Sequence, residues 1–146
     1  MTEVLADAAT RSQHWPREAF NSSATADWSC PAVIDVTGRP RCLVFGPYRV
    51  LSPGLWRAVV RFRLCEDAAR ARFAVEFGAI PDLTGRDPPP WTPGAHALEI
   101  VHGFARPTAA EIRIHLARAA FHGELRFEGA SVERLGDLPE SEVAVL

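Results

Sequence analysis

The stretch L-W-R-A-V-V-R-F-R-L, residues 55–64, alternates apolar and charged side chains along most of its length. The apolar members share one parity and three arginines share the other: Trp56, Ala58, Val60, Phe62 and Leu64 against Arg57, Arg61 and Arg63. A period of two is typical of a strand with one face on a core and the other in water. We therefore predict a long half-buried β-strand here.

Working outward from this strand, the same alternation recurs in residues 73–77, 98–100, 112–116 and 125–132. In the last run, Gly129 interrupts the pattern, which indicates a bulge or kink. Turn-forming residues separate the runs, and the Pro-rich segment 87–94 is predicted to cross the surface as a strap or loop. Only residues 16–21 favour a short helix. The pattern predicts an all-β fold, an antiparallel jelly-roll-like β-sandwich.

The length of 146 residues is typical of one domain. We expect residues 1–29 to form an irregular N-terminal segment on the sandwich edge, residues 30–138 the sandwich itself, and residues 139–146 a C-terminal tail. Trp15 and Trp28 are expected to seal the edge. The strand parities predict one shared core made of Trp56, Val60, Phe62, Phe73, Phe77, Ile112, Ile114 and Phe127.

The basic residues exclude two mechanisms and one class of partner. All 16 are arginine, so the chain lacks the lysine that a Walker-type phosphate loop or a Schiff base needs. The formal net charge is −2, with acids interleaved among the arginines. Such a balance creates no long-range field for a polyanion, and no nucleic-acid partner is expected.

No targeting or membrane signal is visible in the sequence. Residues 1–14 carry Glu3 and Asp7 and no signal-peptide core, and no apolar run approaches membrane-spanning length. We expect a cytoplasmic location and no membrane insertion. Cys30, Cys42 and Cys65 form an odd set without a C-x-x-C pair, so we expect reduced and mostly buried thiols.

The chain carries no recognisable catalytic motif. It lacks a G-x-S-x-G elbow, a catalytic cysteine signature and a Gly-rich nucleotide loop, so we expect no catalytic residues, no cofactor and no enzyme activity. His96, Glu99 and His102 suggest a metal cluster at first. In a strand, however, residues 96 and 102 lie about 20 Å apart and residue 99 faces the opposite way. We expect strand-end or loop histidines and metal independence.

Two groups of residues are candidates for ligand binding. Arg113 and His115 share the polar face of one strand, and a hairpin through residues 104–110 would bring Glu99 opposite them. Such a trio either binds hydroxyl groups or forms an ordinary cross-strand salt bridge. Trp91, in its Pro-rich loop, either caps the core or presents a stacking surface.

Residues 45–64, F-G-P-Y-R-V-L-S-P-G-L-W-R-A-V-V-R-F-R-L, resemble the opening hairpin of carbohydrate-binding-module-like jelly rolls. G-A-H-A-L-E-I-V-H, E-I-R-I-H-L and G-E-L-R-F-E-G-A-S-V-E-R-L are similar to the closing strands, so the resemblance covers roughly residues 30–135. It implies that Gly46, Pro47 and Tyr48 shape the start of a strand and that Pro53-Gly54 makes a hairpin turn. Such modules often accompany glycosyltransferases, glycosidases and other polysaccharide-handling proteins in bacteria.

The resemblance implies a non-catalytic carbohydrate-binding or carbohydrate-associated module with a saccharide or glycan-bearing partner. A saccharide site needs an exposed aromatic and planar polar groups, for which the candidates are Trp91, Arg113, His115, Glu99 and Tyr48. The alternative is a protein-interaction domain that docks on a partner or on itself, and a jelly-roll enzyme is a third reading. A groove lined by a Trp would favour sugar, whereas a flat apolar patch would favour a protein partner.

Overall fold

A computed structural model describes residues 11–87 and 91–139. This part of the chain contains ten strands, one short helix, α1 (Glu66–Ala69), and a 3₁₀ turn at Arg17–Ala19 within the predicted helical stretch. The strands are β1 Ser12–Trp15, β2 Ile34–Asp35, β3 Arg41–Val44, β4 Pro47–Leu51, β5 Gly54–Leu64, β6 Phe73–Ala79, β7 Asp82–Arg86, β8 Gly94–Phe104, β9 Thr108–Leu116 and β10 Glu124–Gly136. In this part of the chain, no helix is long and apolar enough to cross a membrane.

The strands form two antiparallel sheets that face each other, as the sequence pattern predicts. The first sheet has the order β8-β5-β10, and both β1 and β2 pair with the far side of β10. The second has the order β7-β6-β9, and both β3 and β4 pair with the far side of β9. Each sheet is therefore four strands wide. The fold is a jelly-roll-like β-sandwich.

The core lies between the two sheets and contains all eight residues predicted for it. Their exposed fractions do not exceed 2%. Trp15 joins them from β1, where its ring meets Phe20 and Phe77 edge-on at 6.4 and 6.5 Å between ring centroids. The prediction that Trp15 seals the sandwich edge is confirmed. The segment that carries it is not irregular throughout, because Ser12–Trp15 pairs with β10.

Gly129 marks the bulge that its position in the pattern predicts. The pairing of β10 with β5 shifts by one residue between Phe127 and Gly129, after which the apolar side chains return to the core. Gly129 has a φ of +97°, and a Cβ there would lie 2.7 Å from the carbonyl oxygen of Trp15. Only glycine permits this backbone conformation and this close approach of β1.

Two turns expected to form hairpins instead connect the two sheets. Pro53-Gly54 links β4 of the second sheet to β5 of the first, and residues 105–107 link β8 of the first sheet to β9 of the second. A short turn between two alternating strands looks the same in sequence whether the strands pair or face each other across the core. Burying both inner faces against each other selects the second arrangement.

A strand that the alternating pattern does not predict, β7, lies between the predicted strands at residues 73–77 and 98–100. β7 pairs with β6 through a tight turn at residues 79–82. Its sequence D-L-T-G-R lacks alternation because its side chains are exposed or half-buried, so its backbone pairing has no signature in hydrophobicity. Residues 88–90 of the proposed strap, residues 1–10, and all but the first residue of the proposed tail 139–146 lie outside the described residues.

Removing a central aromatic side chain should destabilise the sandwich strongly. We expect Phe62→Ala to lower the free energy of unfolding by about 3–5 kcal/mol, because apolar contacts are lost and a cavity remains. Chemical denaturation measures this change. Phe121→Ala is the matched control, since that ring is 86% exposed, and an equal loss in both variants would contradict the assignment of the core.

The three cysteines are free; Cys30 is buried, Cys42 is half-buried and Cys65 is exposed. Burial raises the pKa of the Cys30 thiol from 9.0 to about 11. In the unfolded chain this thiol ionises from about pH 9, whereas in the folded chain it stays protonated until near pH 11. The stability that its neutral form contributes is therefore complete below pH 9 and is lost as the pH rises to about 11.

We expect Cys30→Ala to lose less stability than the native chain across this alkaline window. Urea denaturation at a series of pH values follows the difference between the two. Parallel curves for the native chain and Cys30→Ala would contradict the raised pKa.

Candidate functional site: a groove on the second sheet

An open groove of about 460 Å³ lies beside the outer face of the second sheet, at β3, β4 and β9. This volume lies in the range of small-molecule sites. Exposed or half-exposed aromatic side chains and arginines line much of it. The lining residues are Ser23, Trp28, Arg39, Arg41, Cys42, Phe45, Tyr48 and Arg113.

Two aromatic side chains present apolar surface to solvent in the groove. Trp28 is 57% exposed and Tyr48 is 44% exposed. The Trp28 indole meets the ring of Phe45 edge-on, with 6.1 Å between ring centroids. One side of the indole is therefore supported while much of its surface stays open. An exposed indole of this kind can stack on the apolar face of a sugar.

Trp28 and Tyr48 also share an unusual backbone. Their φ angles are +64° and +63°, and no other non-glycine residue in the described ranges has a positive φ. For bulky residues this conformation costs roughly 1–3 kcal/mol each, and such strain clusters at functional sites. The surrounding structure must hold both side chains in place against this cost.

The loop before β2 that carries Trp28 is held by its own hydrogen bonds. The Ser22 hydroxyl donates to the carbonyl oxygen of Leu43 at 2.7 Å, and the Ser22 amide donates to that of Trp28 at 2.9 Å. The amide and hydroxyl of Ser29 both donate to the Asp27 carboxylate, and these bonds lower the pKa of that carboxyl. The loop thereby fixes the backbone of Trp28, from which the indole projects.

Polar side chains form a network on the outward face of β9. The Arg113 guanidinium donates to the Glu111 carboxylate at 3.2 Å, and its Nε lies 4.0 Å from Glu76 Oε1. His115 Nε2 lies 2.6 Å from the same Glu76 oxygen. A carboxylate only accepts, so Nε2 carries a proton. Arg113 Nε, 3.4 Å from that nitrogen, is then a second donor that faces the carboxylate.

The network holds one planar cation in the groove. Burial alone lowers the pKa of Arg113, but Cys42 and Glu111 beside it outweigh this effect, and its pKa is raised overall. Glu111 is 4% exposed, and a carboxylate this buried is tolerated because it is paired. Burial also raises the pKa of two neighbours in the groove, Tyr48 and the Cys42 thiol.

The structure brings together three of the five predicted site residues. Arg113 and His115 share the outward face of β9 as expected, and Tyr48 borders the same groove. Glu99 does not join them, which corrects the predicted trio. It lies on β8 in the other sheet, beside Val59 of β5, because β8 and β9 do not pair. Glu76 of β6, the register partner of Arg113, occupies the expected place of Glu99.

Trp91 does not present a stacking surface. It is 9% exposed, and its ring packs edge-on against Phe62 at 5.4 Å and Phe73 at 6.5 Å. Of the two readings, the core cap is therefore correct. The expectation that Trp28 seals the sandwich edge is wrong, because its indole is exposed.

The sequence contained a signal for Trp28 that the prediction missed. N-S-S-A-T-A-D, residues 21–27, is a cluster of turn-forming residues directly before it, so the same reasoning about a Trp in a loop applied there. Glu111, Arg39 and Arg41 carried no such signal, because their places in the groove depend on which strands are neighbours.

The histidines considered as metal ligands have separate partners. His102 is 6% exposed and contacts Thr84 at 2.8 Å and Asp82 at 3.3 Å. His96 contacts the Thr92 carbonyl at 2.6 Å and stacks on Phe62. Glu99 points away from both, as its parity predicts. In residues 11–87 and 91–139, no three His, Cys, Asp or Glu side chains group as metal ligands would.

Comparison with known proteins identifies the architecture. No family model matches the sequence, and no curated protein matches it. Among solved structures, a family 61 carbohydrate-binding module in complex with β-1,4-galactotriose is similar with a TM-score of 0.52 at 10% identity, over 82% of this chain and 90% of that chain. The C-terminal family 6 module of a laminarinase from Zobellia galactanivorans has a TM-score of 0.50 at 8% identity, over 84% and 99% respectively. The fold is that of carbohydrate-binding-module jelly rolls.

The two tryptophans should respond in opposite ways to truncation. We expect Trp91→Ala to lower the free energy of unfolding by about 3–5 kcal/mol because it opens a cavity beside Phe62. Trp28→Ala, the matched control, should change it by no more than about 1 kcal/mol because the indole is exposed. Thermal or chemical denaturation distinguishes the two. A stable Trp91→Ala variant would contradict the assignment of Trp91 to the core.

Proposed function

We propose that this chain is a carbohydrate-binding module that holds a saccharide in the groove of the second sheet. The observation that carries the proposal is the pair of exposed aromatics, Trp28 and Tyr48, held beside the Arg113 guanidinium in one groove. The aromatics supply surface for the C–H face of a sugar ring. The guanidinium supplies several N–H donors in one plane for ring hydroxyl oxygens.

The site supports binding because its parts are ordered before a ligand arrives. Trp28 is held by its loop, and Arg113 is held by Glu111 and Glu76. Little side-chain entropy is then lost when a ligand enters, so more of the contact energy appears as affinity. An open groove also suits a chain of sugars better than an enclosed cavity does.

Sugar binding accounts for the groove better than a protein-interaction role does. A protein partner would be favoured by a flat apolar patch, whereas this groove combines aromatic rings with three arginines. A smaller concavity of about 240 Å³ beside Phe121 carries that single aromatic among polar and small residues. This concavity lacks a pair of exposed aromatic side chains like Trp28 and Tyr48. The fold similarity is consistent with the same role, and β-1,4-galactotriose, bound by the family 61 module, is a reasonable first probe.

The test is a glycan array followed by titration calorimetry with the best ligand and with β-1,4-galactotriose. We expect Trp28→Ala and Tyr48→Ala each to weaken binding about tenfold or more, because truncating an aromatic anchor typically costs about 2 kcal/mol. Melting temperatures should change little. Phe121→Ala removes an exposed ring outside the groove and should bind like the native chain.

Two results would reject the proposal. One is the absence of binding to every glycan on the array, and the other is saccharide binding that survives both groove substitutions. Light scattering on the same samples reports self-association, which the protein-interaction alternative predicts.

A further inference from the structure

The groove has a surplus of positive charge. Three of its lining residues are Arg39, Arg41 and Arg113, and none of the lining residues in the described ranges is acidic. Two carboxylates, those of Glu111 and Glu76, lie on the sheet face beside Arg113. They offset the charge of Arg113 and leave the charges of the other two.

Arg41 is held in place without being neutralised. Its guanidinium donates to the carbonyl oxygens of Arg39 at 2.9 Å and Asp35 at 3.1 Å. Carbonyl groups orient a guanidinium but carry no net charge, and other N–H groups of the fork stay available. The Asp35 carboxylate instead accepts from Thr37, which is the main reason that its pKa is lowered, and Arg41 adds a smaller effect.

Arg39 is exposed and has no ion-pair partner within the described part of the chain. On the outer face of the first sheet, Arg57 and Arg63 pair with Glu133 and Glu128, whereas Arg61 contacts the Ser131 hydroxyl. The fact that the groove cations are arginine says little, because the chain contains no lysine. The informative feature is that Arg39 and Arg41 form no ion pair within the described ranges although they lie beside two exposed aromatic side chains.

We infer that the groove binds an anionic saccharide, a sugar chain that carries carboxylate or sulfate groups. This inference rests on the proposed function and names its ligand class. A neutral sugar needs only the hydrogen bonds and aromatic surface that Trp28, Tyr48 and Arg113 already supply. Arg39 and Arg41 add two positive charges at the same groove. The planar fork of a guanidinium group donates two parallel hydrogen bonds, which matches two oxygens of a carboxylate or sulfate.

The experiment compares charged saccharides with neutral counterparts that have the same sugar backbone. Oligogalacturonate is titrated against its fully methyl-esterified form, which has the same backbone without charge. Sulfated galactan and neutral β-1,4-galactan form a second pair that distinguishes sulfate from carboxylate. We expect the acidic member of at least one pair to bind about tenfold or more tightly than its neutral counterpart. This preference should shrink as salt is raised from about 0.05 to 0.5 M.

Substitutions assign the preference to residues. Arg39→Gln and Arg41→Gln should each reduce binding of the acidic saccharide while binding of its neutral counterpart stays unchanged. Arg61→Gln is the matched control, because it removes the same charge from the outer face of the first sheet. Thermal melts confirm that the variants are folded.

The possible failures are distinguishable. Equal affinity for charged and neutral saccharides would overturn the anionic ligand class and leave the proposed function standing. No binding to any saccharide would overturn both. Polyglutamate is the last probe, and if it binds as tightly as the acidic saccharide and competes with it, the groove is a general polyanion site and the inference is wrong.

Discussion

The alternation of side chains along β9 is the constraint on which both the core and the groove depend. Ile112, Ile114 and Leu116 point into the space between the sheets and are at most 1% exposed. The residues between them, Arg113 and His115, must therefore point outward. A slip of one residue in the pairing of β9 would bury the charges and expose the isoleucines. The free energy of burying the core thus holds the polar network at the groove.

The polar network in turn shows how a half-buried charged surface is tolerated. Glu111 is nearly inaccessible, and its oxygen lies 3.2 Å from the Arg113 guanidinium. Removing either partner would leave the other charge without compensation in a poorly solvated place, so the two residues depend on each other. Glu76 and His115 extend the pairing across β6 and β9. This order leaves Arg113 with a defined position from which to meet a ligand.

The aromatic platforms depend on the sandwich in a different way. Trp28 and Tyr48 have backbone conformations that bulky residues avoid, and the loop bonds to Leu43 and the packing against Phe45 hold the first of them. The stability of the core therefore supports local strain at the groove. The groove combines this strain with uncompensated arginine charge, two features that a purely structural surface has little reason to keep together.

The sequence by itself determined the five alternating strands β5, β6, β8, β9 and β10, their buried faces and the bulge at Gly129, because a period of two and a glycine in a strand are local signals. It also placed Arg113 and His115 on one face. It could not predict that β8 and β9 belong to different sheets, so Glu99 was assigned to the place that Glu76 occupies. It could not say whether Trp91 or Trp28 is exposed either. Both follow turn-forming residues, and only the tertiary structure decided which indole fills the end of the core, because burial depends on neighbours that are distant along the chain.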